Sequence, residues 1–490
     1  MPRATCPDPE EQMKAPRLNP KLSVSVMFTV SMFVRMLDMT IVTVALPAIS
    51  RDYHVDTVSA GVVVVSYLLG LVIGIPAANW CGDRWGTKQV FVLGLVVFTL
   101  TSVACGVAQN LPQLMIFRLF QGLSGGLFGP VVMAMLVRTF PPEERIKASR
   151  VMTIPIAAAP LIGSVLGGFI ADSLSWRWIF YINLPIGVAA TLFALFFLDD
   201  DGVRARNPFD VLGFVYAAGG LTLLMYGLNK SVTEGWTSAL VLGCVVGGVV
   251  LLGLLVFTEL RAAHPLLDLR VFGNHIFRIS SGIILMITAF NAAYNFVFPL
   301  LYQEVFGRSA LRVGIDIGPA AIGAIAGAQV AVKMYHRLGP RRHLLVSLTA
   351  SFVGLALMAL IDVDTQRWLV WLIMLYTGAV SAIAYNAAQT TSFATLTPHQ
   401  VGVASSLFST ATQTGAALGV SLLSTVLAGL GTTTDGGAPD LSTYQLGFVI
   451  TSGLAIVALL LTLRVRDSEA AGTLESKPEK ESVADANPAP

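Results

Sequence analysis

Two ionisable side chains, Arg35 and Asp38, lie inside an apolar run that extends from about Val24 to Pro47. A run of this length can cross a bilayer, where each charge costs several kcal/mol unless it meets a partner or a water-filled cavity. The two residues are three apart, so on a helix they share a face and can pair with each other. The pair either locks the helix structurally, or Asp38 faces a central cavity and gains and loses a proton there.

A further charge, Arg118, lies in a later apolar run, with Gln121 one turn deeper on the same helix face. Arginine keeps its proton in proteins, so this side chain needs a counter-ion or water. Measured from Pro47 and Pro112, the helical rise places Asp38 about 13 Å and Arg118 about 9 Å below the same membrane surface. The two charges could therefore meet through a cavity, although Arg118 could also be a purely structural hydrogen-bond hub.

The composition is that of a membrane protein. Of the 490 residues 54% are hydrophobic and 12% are charged, whereas soluble proteins carry about twice that charged fraction. The net charge of +2 gives no sign of nucleic-acid binding. The four cysteines neither pair by spacing nor cluster with histidine, so we predict no disulfide, no metal site and no cofactor. Residues 1–21 are polar and Pro-rich, and we predict no cleavable signal peptide.

Fourteen apolar runs of about 18 or more residues predict an all-α polytopic membrane protein with 14 transmembrane helices. One set of alternate loops, with the two tails, holds 23 of the 31 Lys and Arg residues, and the other loops hold six. Because positively charged loops stay inside, we expect both termini to be cytoplasmic and the chain to lie in the cell membrane. The predicted spans are 24–47, 58–80, 89–109, 112–137, 148–172, 179–198, 210–229, 237–258, 279–302, 311–332, 343–361, 368–391, 401–429 and 444–463.

These spans predict two six-helix halves separated by two inserted helices, a 6+2+6 arrangement. The stretch His264–Phe272 is too short and too charged to span, and its mixed pattern suits a helix in the membrane interface. The polar C-terminal tail lacks apolar periodicity, which predicts disorder. The predicted domains are a cytoplasmic tail (1–21), the N-terminal half (22–198), two inserted helices (199–258), a cytoplasmic interfacial segment (259–278), the C-terminal half (279–466) and a disordered cytoplasmic tail (467–490).

Two short matches at a common offset indicate that the halves are repeats. The loop Asp83–Lys88 and the loop His336–Arg341 share a basic-x-Gly-x-basic rhythm, and Pro47 matches Pro299. The offsets are 253 and 252 residues. Duplicated halves of this kind place the substrate site near the membrane midplane, at the interface between them.

Polar and aromatic side chains at helical spacing inside the later spans could line such a cavity, although each could instead form an interhelical hydrogen bond. The candidates are Asn291, Tyr294, Asn295, Tyr385, Asn386, Gln389 and Gln413. Asp316 is a second titratable candidate, but its position also suits a group near the predicted outer interface.

Several motifs together resemble the fourteen-span drug:proton antiporter family of the major facilitator superfamily, over residues 20–465. Leu37 to Pro47 is similar to the first-helix signature of that family, and Trp176 to Gly187 is similar to the sequel of its fifth-helix motif. The other matched residues are Gly82, Asp83, Arg84, Gly86 and Lys88 in the loop after the second span, Arg118, Gln121, Gly122 and Gly125 in the fourth span, Gly163, Gly167 and Gly168 in the fifth, and His264 to Arg270. Pro160 belongs to the same fifth span but lies one turn before the position where the motif has its proline.

The resemblance implies a major facilitator fold, in which proton and substrate bind alternately as two halves rock. Asp38 would then carry the proton or contact a cationic group, tuned by Arg118 and Arg35, and Gln121 would orient the substrate site. Asp83, Arg84 and Gly86 would latch the cytoplasmic closure, unless that loop is only a charged cap that fixes topology.

The fifth-span glycines have a simpler interpretation as well, since Gly163 and Gly167 are four apart and suit close helix packing. The sequence also departs from the family. Thr43 stands where the first-helix signature has Asn, Arg35 is an extra charge, and Ser164 replaces the proline of the antiporter motif. The last change weakens the motif that the family associates with export.

The leading hypothesis is therefore a secondary transporter that exports hydrophobic or amphipathic compounds in exchange for protons. No phosphate-binding loop of the Gly-x-x-x-x-Gly-Lys-Ser/Thr type occurs, and no catalytic cluster is visible, so we predict neither an ATPase nor another enzyme. Two alternatives are an exporter of one endogenous metabolite or lipid and a non-transporting membrane sensor or scaffold. The expected partners are a small-molecule substrate, protons and the lipid bilayer, and the expected state is a monomer.

Overall fold

A computed structural model describes residues 18–140, 142–199, 208–235, 237–262, 265, 268–396, 398–430 and 440–466. This part of the chain is helical and contains no β-strand. A 3-10 turn at Leu269–Gly273 and a π-helical turn at Leu301–Val305 flank the helix between them. The helices are α1 Pro20–Tyr53, α2 Thr57–Ala60, α3 Val62–Trp85, α4 Thr87–Val107, α5 Leu111–Thr139, α6 Pro142–Ser173, α7 Trp178–Tyr181, α8 Asn183–Phe197, α9 Val211–Glu234, α10 Ala239–Glu259, α11 His275–Leu300, α12 Ala310–Met358, α13 Arg367–Phe393, α14 Pro398–Leu430 and α15 Leu441–Thr462.

Eleven of the described helices are long and apolar enough to cross a membrane, and two shorter apolar stretches, Val62–Ala78 and Ala158–Ser173, lie within α3 and α6. The helix α12 is kinked at Gly339, whose backbone φ of 75° divides it into two helical segments. The helical, multi-pass architecture is confirmed, and the count of 14 spans stays a prediction.

Proline and asparagine explain where two of the central helices begin. Asn19 accepts a hydrogen bond from the backbone of Lys21 at the start of α1, and Asn110 accepts one from Gln113 at the start of α5. Each helix has proline in its first turn, where the missing N–H costs nothing. These caps fix the two helices that bear Asp38 and Arg118.

The described helices form two bundles with a bridging pair. We call α1 to α8 the first half and α11 to α15 the second half. The helices α9 and α10 pack on each other, and α9 also packs on α3 of the first half and on α14 of the second. The large apolar side chains of α10 point outward, as expected for a lipid-facing surface. The halves contact each other mainly through α6 on α12 and α3 on α14.

The predicted internal repeat has a backbone counterpart. Gly86 between α3 and α4 has φ 95° and ψ 141°, and Gly339 inside α12 has φ 75° and ψ 165°. Both turns therefore use the left-handed region that glycine adopts without penalty. Pro47 and Pro299 likewise both lie inside helices, α1 and α11. Two loops 253 residues apart thus make the same kind of turn at the same place in each half.

Hydrogen bonds join the two halves at the end of the bundle that the charge pattern assigns to the outside. Asp172, at the end of α6, accepts hydrogen bonds from the backbone N–H groups of Ala310 (3.1 Å) and Leu311 (2.7 Å) at the start of α12. Thr57 donates to Glu304 over 2.9 Å, and other bonds cross nearby. The halves are therefore closed against each other at this end.

Some of the predicted segments fall partly or wholly outside the described residues. They include most of the N-terminal tail 1–21, all of the C-terminal tail 467–490, and His264, Leu266 and Leu267 of the interfacial segment. Within that segment, the described part forms the 3-10 turn at Leu269–Gly273, which Asp268 caps through the backbone N–H of Arg270.

Candidate functional site

Asp38 is fully buried near the middle of α1 and accepts three hydrogen bonds. Arg118 Nη1 donates to Oδ2 over 2.5 Å, Gln121 Nε2 donates to Oδ1 over 3.1 Å, and Asn183 Nδ2 donates to Oδ1 over 3.0 Å. The four side chains have no solvent exposure. The predicted meeting of Asp38 with Arg118 is therefore present, and it is a direct ion pair.

Helix spacing explains why α5 supplies two of these donors. Arg118 and Gln121 are three residues apart and lie on one face, and Arg118 Nη1 also donates to Gln121 Oε1 over 2.7 Å. Asn183 comes from the start of α8 and also donates to Ser102 of α4 over 3.0 Å. The network thus links α1, α4, α5 and α8 within the first half.

Aromatic rings shield the ion pair from water. The Arg118 guanidinium lies 4.2 Å from the centre of the Tyr67 ring and 5.7 Å from that of Phe180. Such contacts favour a cation that has lost its water shell. A buried pair of this kind is costly to break, because removal of one partner leaves the other charge uncompensated, at about 3–5 kcal/mol.

Two expectations about Asp38 need correction. Asp38 does not pair with Arg35 but with Arg118, because the guanidinium of Arg35 turns toward Met32 and Gly129 instead. Asp38 also does not face an open cavity between the halves in this conformation, since it is enclosed by helices of the first half. A proton could reach it only after these helices move.

Asn183 lies within the motif Trp176 to Gly187 but was not among the predicted site residues. The signal was an amide in the apolar run 179–198, next to no other polar side chain. Asp172, which joins the halves, was missed as well. Its sequence signal was a carboxylate at the end of a glycine-rich span, a position that equally suits an exposed helix end.

The candidate cavity residues of the second half lie on three helices and do not hydrogen-bond to the Asp38 network in the described structure. Asn291, Asn295 and Asn386 each donate to the backbone carbonyl four residues earlier in their own helix. Tyr294 is buried, and Tyr385 packs edge-on against Phe408. Gln389 and Gln413 are partly exposed. Their role as cavity lining stays a prediction.

The latch residues form their contacts within the first half. Asp83 accepts a hydrogen bond from Arg138 of α5 over 3.3 Å at a half-exposed site, and Arg84 is exposed. Lys88 donates to the carbonyl oxygens of Leu195 (3.0 Å) and Leu198 (2.5 Å). The helix dipole favours a cation near the carbonyl groups at the C-terminal end of α8. Gly82 and Gly86 are buried.

The glycines of α6 allow two close helix contacts. A Cβ on Gly163 would collide with Thr40 of α1, and one on Gly167 would meet Ile41 at 2.7 Å. Gly168 faces the other way and touches the backbone of Ala310 and Leu311 in α12. Pro160 lies one turn before Gly163 inside the same helix. The fifth span therefore holds α1 on one side and the second half on the other.

Asp316 is occupied by partners at the start of α12. It is 2% exposed and accepts hydrogen bonds from Arg367 Nε and Trp371 Nε1, each over 2.8 Å. Arg367 is half-exposed, and the role of Asp316 as a titrating group stays a prediction.

Sequence comparison gives the family. The profile of the Major Facilitator Superfamily matches residues 28–420. The putative multidrug resistance protein MdtD of Pectobacterium atrosepticum is 30% identical over 395 residues, which cover 81% of this chain and 84% of that protein. The multidrug resistance protein B homolog of Mycobacterium tuberculosis is 30% identical over 397 residues, which cover 80% and 73%.

Solved structures share the fold at low sequence identity. The human organic anion transporter MFSD10 (TETRAN) aligns with a TM-score of 0.62 and 14% identity over 91% of this chain and 100% of that one. The peptide transporter POT aligns with a TM-score of 0.68 and 14% identity over 94% and 97%. With the helical bundle and the matching profile, the chain belongs to the major facilitator superfamily of membrane transporters.

Proposed function

We propose that this transporter exports hydrophobic or amphipathic compounds in exchange for protons, as a member of the fourteen-span antiporter group. Two relatives named as multidrug resistance proteins, each 30% identical, support a drug-like cargo. The observation that bears most on proton coupling is the Asp38 site. It is a carboxylate near the centre of a membrane-spanning helix, held by one arginine and two amides.

Protonation of Asp38 would remove one charge of the buried pair. Arg118 is the only counter-charge of Asp38 among the described residues, so protonation and movement of the surrounding helices are linked. When Asp38 is neutral, Arg118 loses its counter-ion, and the contact between α1 and α5 weakens. Proton binding is thereby tied to helix packing in the first half.

The route from this pair to the second half runs through α6. The helix α1 packs on Gly163 and Gly167 of α6, and the end of α6 holds the start of α12 through Asp172. A shift of α1 on losing its tie to α5 would therefore act on the contact that closes the halves at the predicted outer end. In this scheme protonation on one side and cargo binding on the other alternate.

Transport in sealed vesicles tests the proposal. Purified protein reconstituted into liposomes with an imposed pH gradient should move a fluorescent amphipathic dye, and the movement should stop when an ionophore collapses the gradient. Dye movement that is indifferent to the gradient would rule out proton coupling, and no movement of any amphipathic dye would rule out this cargo class. The matched control is the Asp38→Asn, Arg118→Gln double variant, which keeps the site neutral but cannot titrate.

A further inference from the structure

Arg35 lies near the centre of α1 and has no counter-ion among the described residues. That helix extends over 34 residues from Pro20 to Tyr53, and Arg35 lies close to its midpoint. A cation at this depth costs several kcal/mol unless a partner or water compensates it. In the described part of the chain, no carboxylate lies within ion-pairing distance of Arg35, and the neighbouring Asp38 is already saturated by three donors.

The contacts of Arg35 leave two of its three nitrogens free of hydrogen bonds. Nη1 lies 3.7 Å from the sulfur of Met32, a weak acceptor. Nε is buried without a hydrogen-bond partner, and Nη2 is neither bonded nor enclosed, so it reaches accessible space. The guanidinium lies directly against Gly129 of α5, where a Cβ would collide with it. The side chain is therefore held at the α1–α5 seam with its donors open.

The Tyr67 hydroxyl is a second polar group in this region without a hydrogen-bond partner among the described residues. The Tyr67 side chain is 1% exposed, and its hydroxyl makes no hydrogen bond. It lies 3.5 Å from a Cβ position at Gly125, one turn from Gly129 on α5, which the Arg35 guanidinium contacts. Arg118 Nη2, beside the same ring, is also buried and unpaired. Buried donors without acceptors each cost about 1–3 kcal/mol.

The charges in this region do not cancel. Two arginines face one carboxylate, so the cluster of Arg35, Arg118 and Asp38 has a net charge of +1 when Asp38 is ionised. A cationic cargo would be repelled here, and a neutral one would leave the guanidinium of Arg35 uncompensated. An anion supplies both the missing charge and the missing acceptors, and Arg is well suited to bind two oxygens of one acidic group.

We propose that Arg35 selects cargo with an acidic group, a carboxylate or sulfonate on an apolar body, and binds that group at the α1–α5 seam with the Tyr67 hydroxyl. The apolar body would lie toward Met32, whose flexible side chain adapts to different shapes. This inference rests on the proposed transport of amphipathic compounds and names the class of cargo.

A matched pair of dyes tests the charge requirement. 1-Anilinonaphthalene-8-sulfonate and N-phenyl-1-naphthylamine share the apolar body and differ by the sulfonate, and both brighten on entering an apolar site. Their affinities for the purified full-length protein in detergent are measured by fluorescence titration. We expect Arg35→Gln to weaken sulfonate binding about tenfold or more, since a charge-assisted hydrogen bond is lost, and to change binding of the neutral dye less than threefold. Arg35→Lys should retain part of the preference.

Two controls separate a binding role from a structural one. Arg464→Gln changes an exposed arginine at the end of α15 and should leave both affinities unchanged. Thermal unfolding of Arg35→Gln should not fall below that of the wild type, because the variant removes an uncompensated charge. Equal loss of both dyes, or unchanged sulfonate binding, would overturn the proposal.

Binding and vesicle transport give independent results. Sulfonate binding that depends on Arg35 supports the cargo class even where a pH gradient drives no transport, which would count against the proposed antiport alone. Gradient-driven transport that does not discriminate between the two dyes would retain the antiport and overturn the role of Arg35.

Discussion

At the scale of single residues, the Asp38–Arg118 pair combines stability and chemistry in one contact. Both side chains are fully buried, and each is the only counter-charge of the other among the described residues. A change at either position therefore alters packing as well as titration. The geometry therefore adds a stability cost to any neutral variant at position 38.

We expect Asp38→Asn to insert into the membrane with reduced stability and to lose transport driven by a pH gradient. The amide cannot balance Arg118, so unfolding should become easier by about 3–5 kcal/mol. The double variant Asp38→Asn, Arg118→Gln should recover much of that stability, because no charge remains buried, yet stay uncoupled. Thermal unfolding and dye movement in vesicles measure the two effects. Proton-driven transport by the double variant would refute Asp38 as the proton carrier.

At the scale of elements, the turn between α3 and α4 depends on one glycine conformation. Gly86 has φ 95°, which side chains with a Cβ avoid, whereas Gly82 is helical and a Cβ there would meet its neighbours at an ordinary 3.6 Å. We expect Gly86→Ala to lower both transport and thermal stability, with a strain of about 1–2 kcal/mol, and Gly82→Ala to be tolerated. Equal activity of the two variants at matched membrane abundance would show that the turn is not critical.

The contact between α6 and α12 gives a second prediction at the scale of elements. The Asp172 carboxylate accepts from the first two N–H groups of α12, as an N-cap side chain does within one helix. We expect Asp172→Asn to weaken closure at the predicted outer end by about 0.5–2 kcal/mol and so to favour the opposite conformation.

Thiol labelling measures this shift. Val44 is 2% exposed in the closed state. In a background without native cysteines, labelling of Val44→Cys by an impermeant reagent should rise several-fold when Asp172→Asn is added. The control is Asp362→Asn, which changes an exposed loop carboxylate that accepts a hydrogen bond from Thr365. An equal rise in both variants would mean that Asp172 does not hold the halves together.

At the scale of the whole molecule, the charge pattern predicts that both termini lie in the cytoplasm. We expect Ser482→Cys, in the C-terminal tail, to resist an impermeant thiol reagent in intact cells and to react after the membrane is permeabilised. Reaction in intact cells would reverse the orientation and move the closed end of the bundle to the cytoplasmic side. The same test therefore decides which face the Asp172 contact closes.

The sequence by itself determined which segments enter the membrane and which charged side chains lie inside them. Apolar runs, loop charges and turn glycines depend on local periodicity, so they predicted a helical membrane protein, the repeat of the Gly86 turn at Gly339, and a common depth for Asp38 and Arg118. Depth follows from the rise per residue along one helix, and it needs no knowledge of neighbours.

Only the tertiary structure decided which helices touch and how each polar group is satisfied. Arg35 is closer in sequence to Asp38, yet Arg118 is the partner, because the packing of α5 on α1 brings its guanidinium to the carboxylate and turns Arg35 toward Gly129. Asn183 is a third donor to Asp38, and Asp172 binds the start of α12. Both contacts depend on side-chain packing between segments far apart in the chain. Lateral contacts of this kind leave no periodic signal in a single sequence.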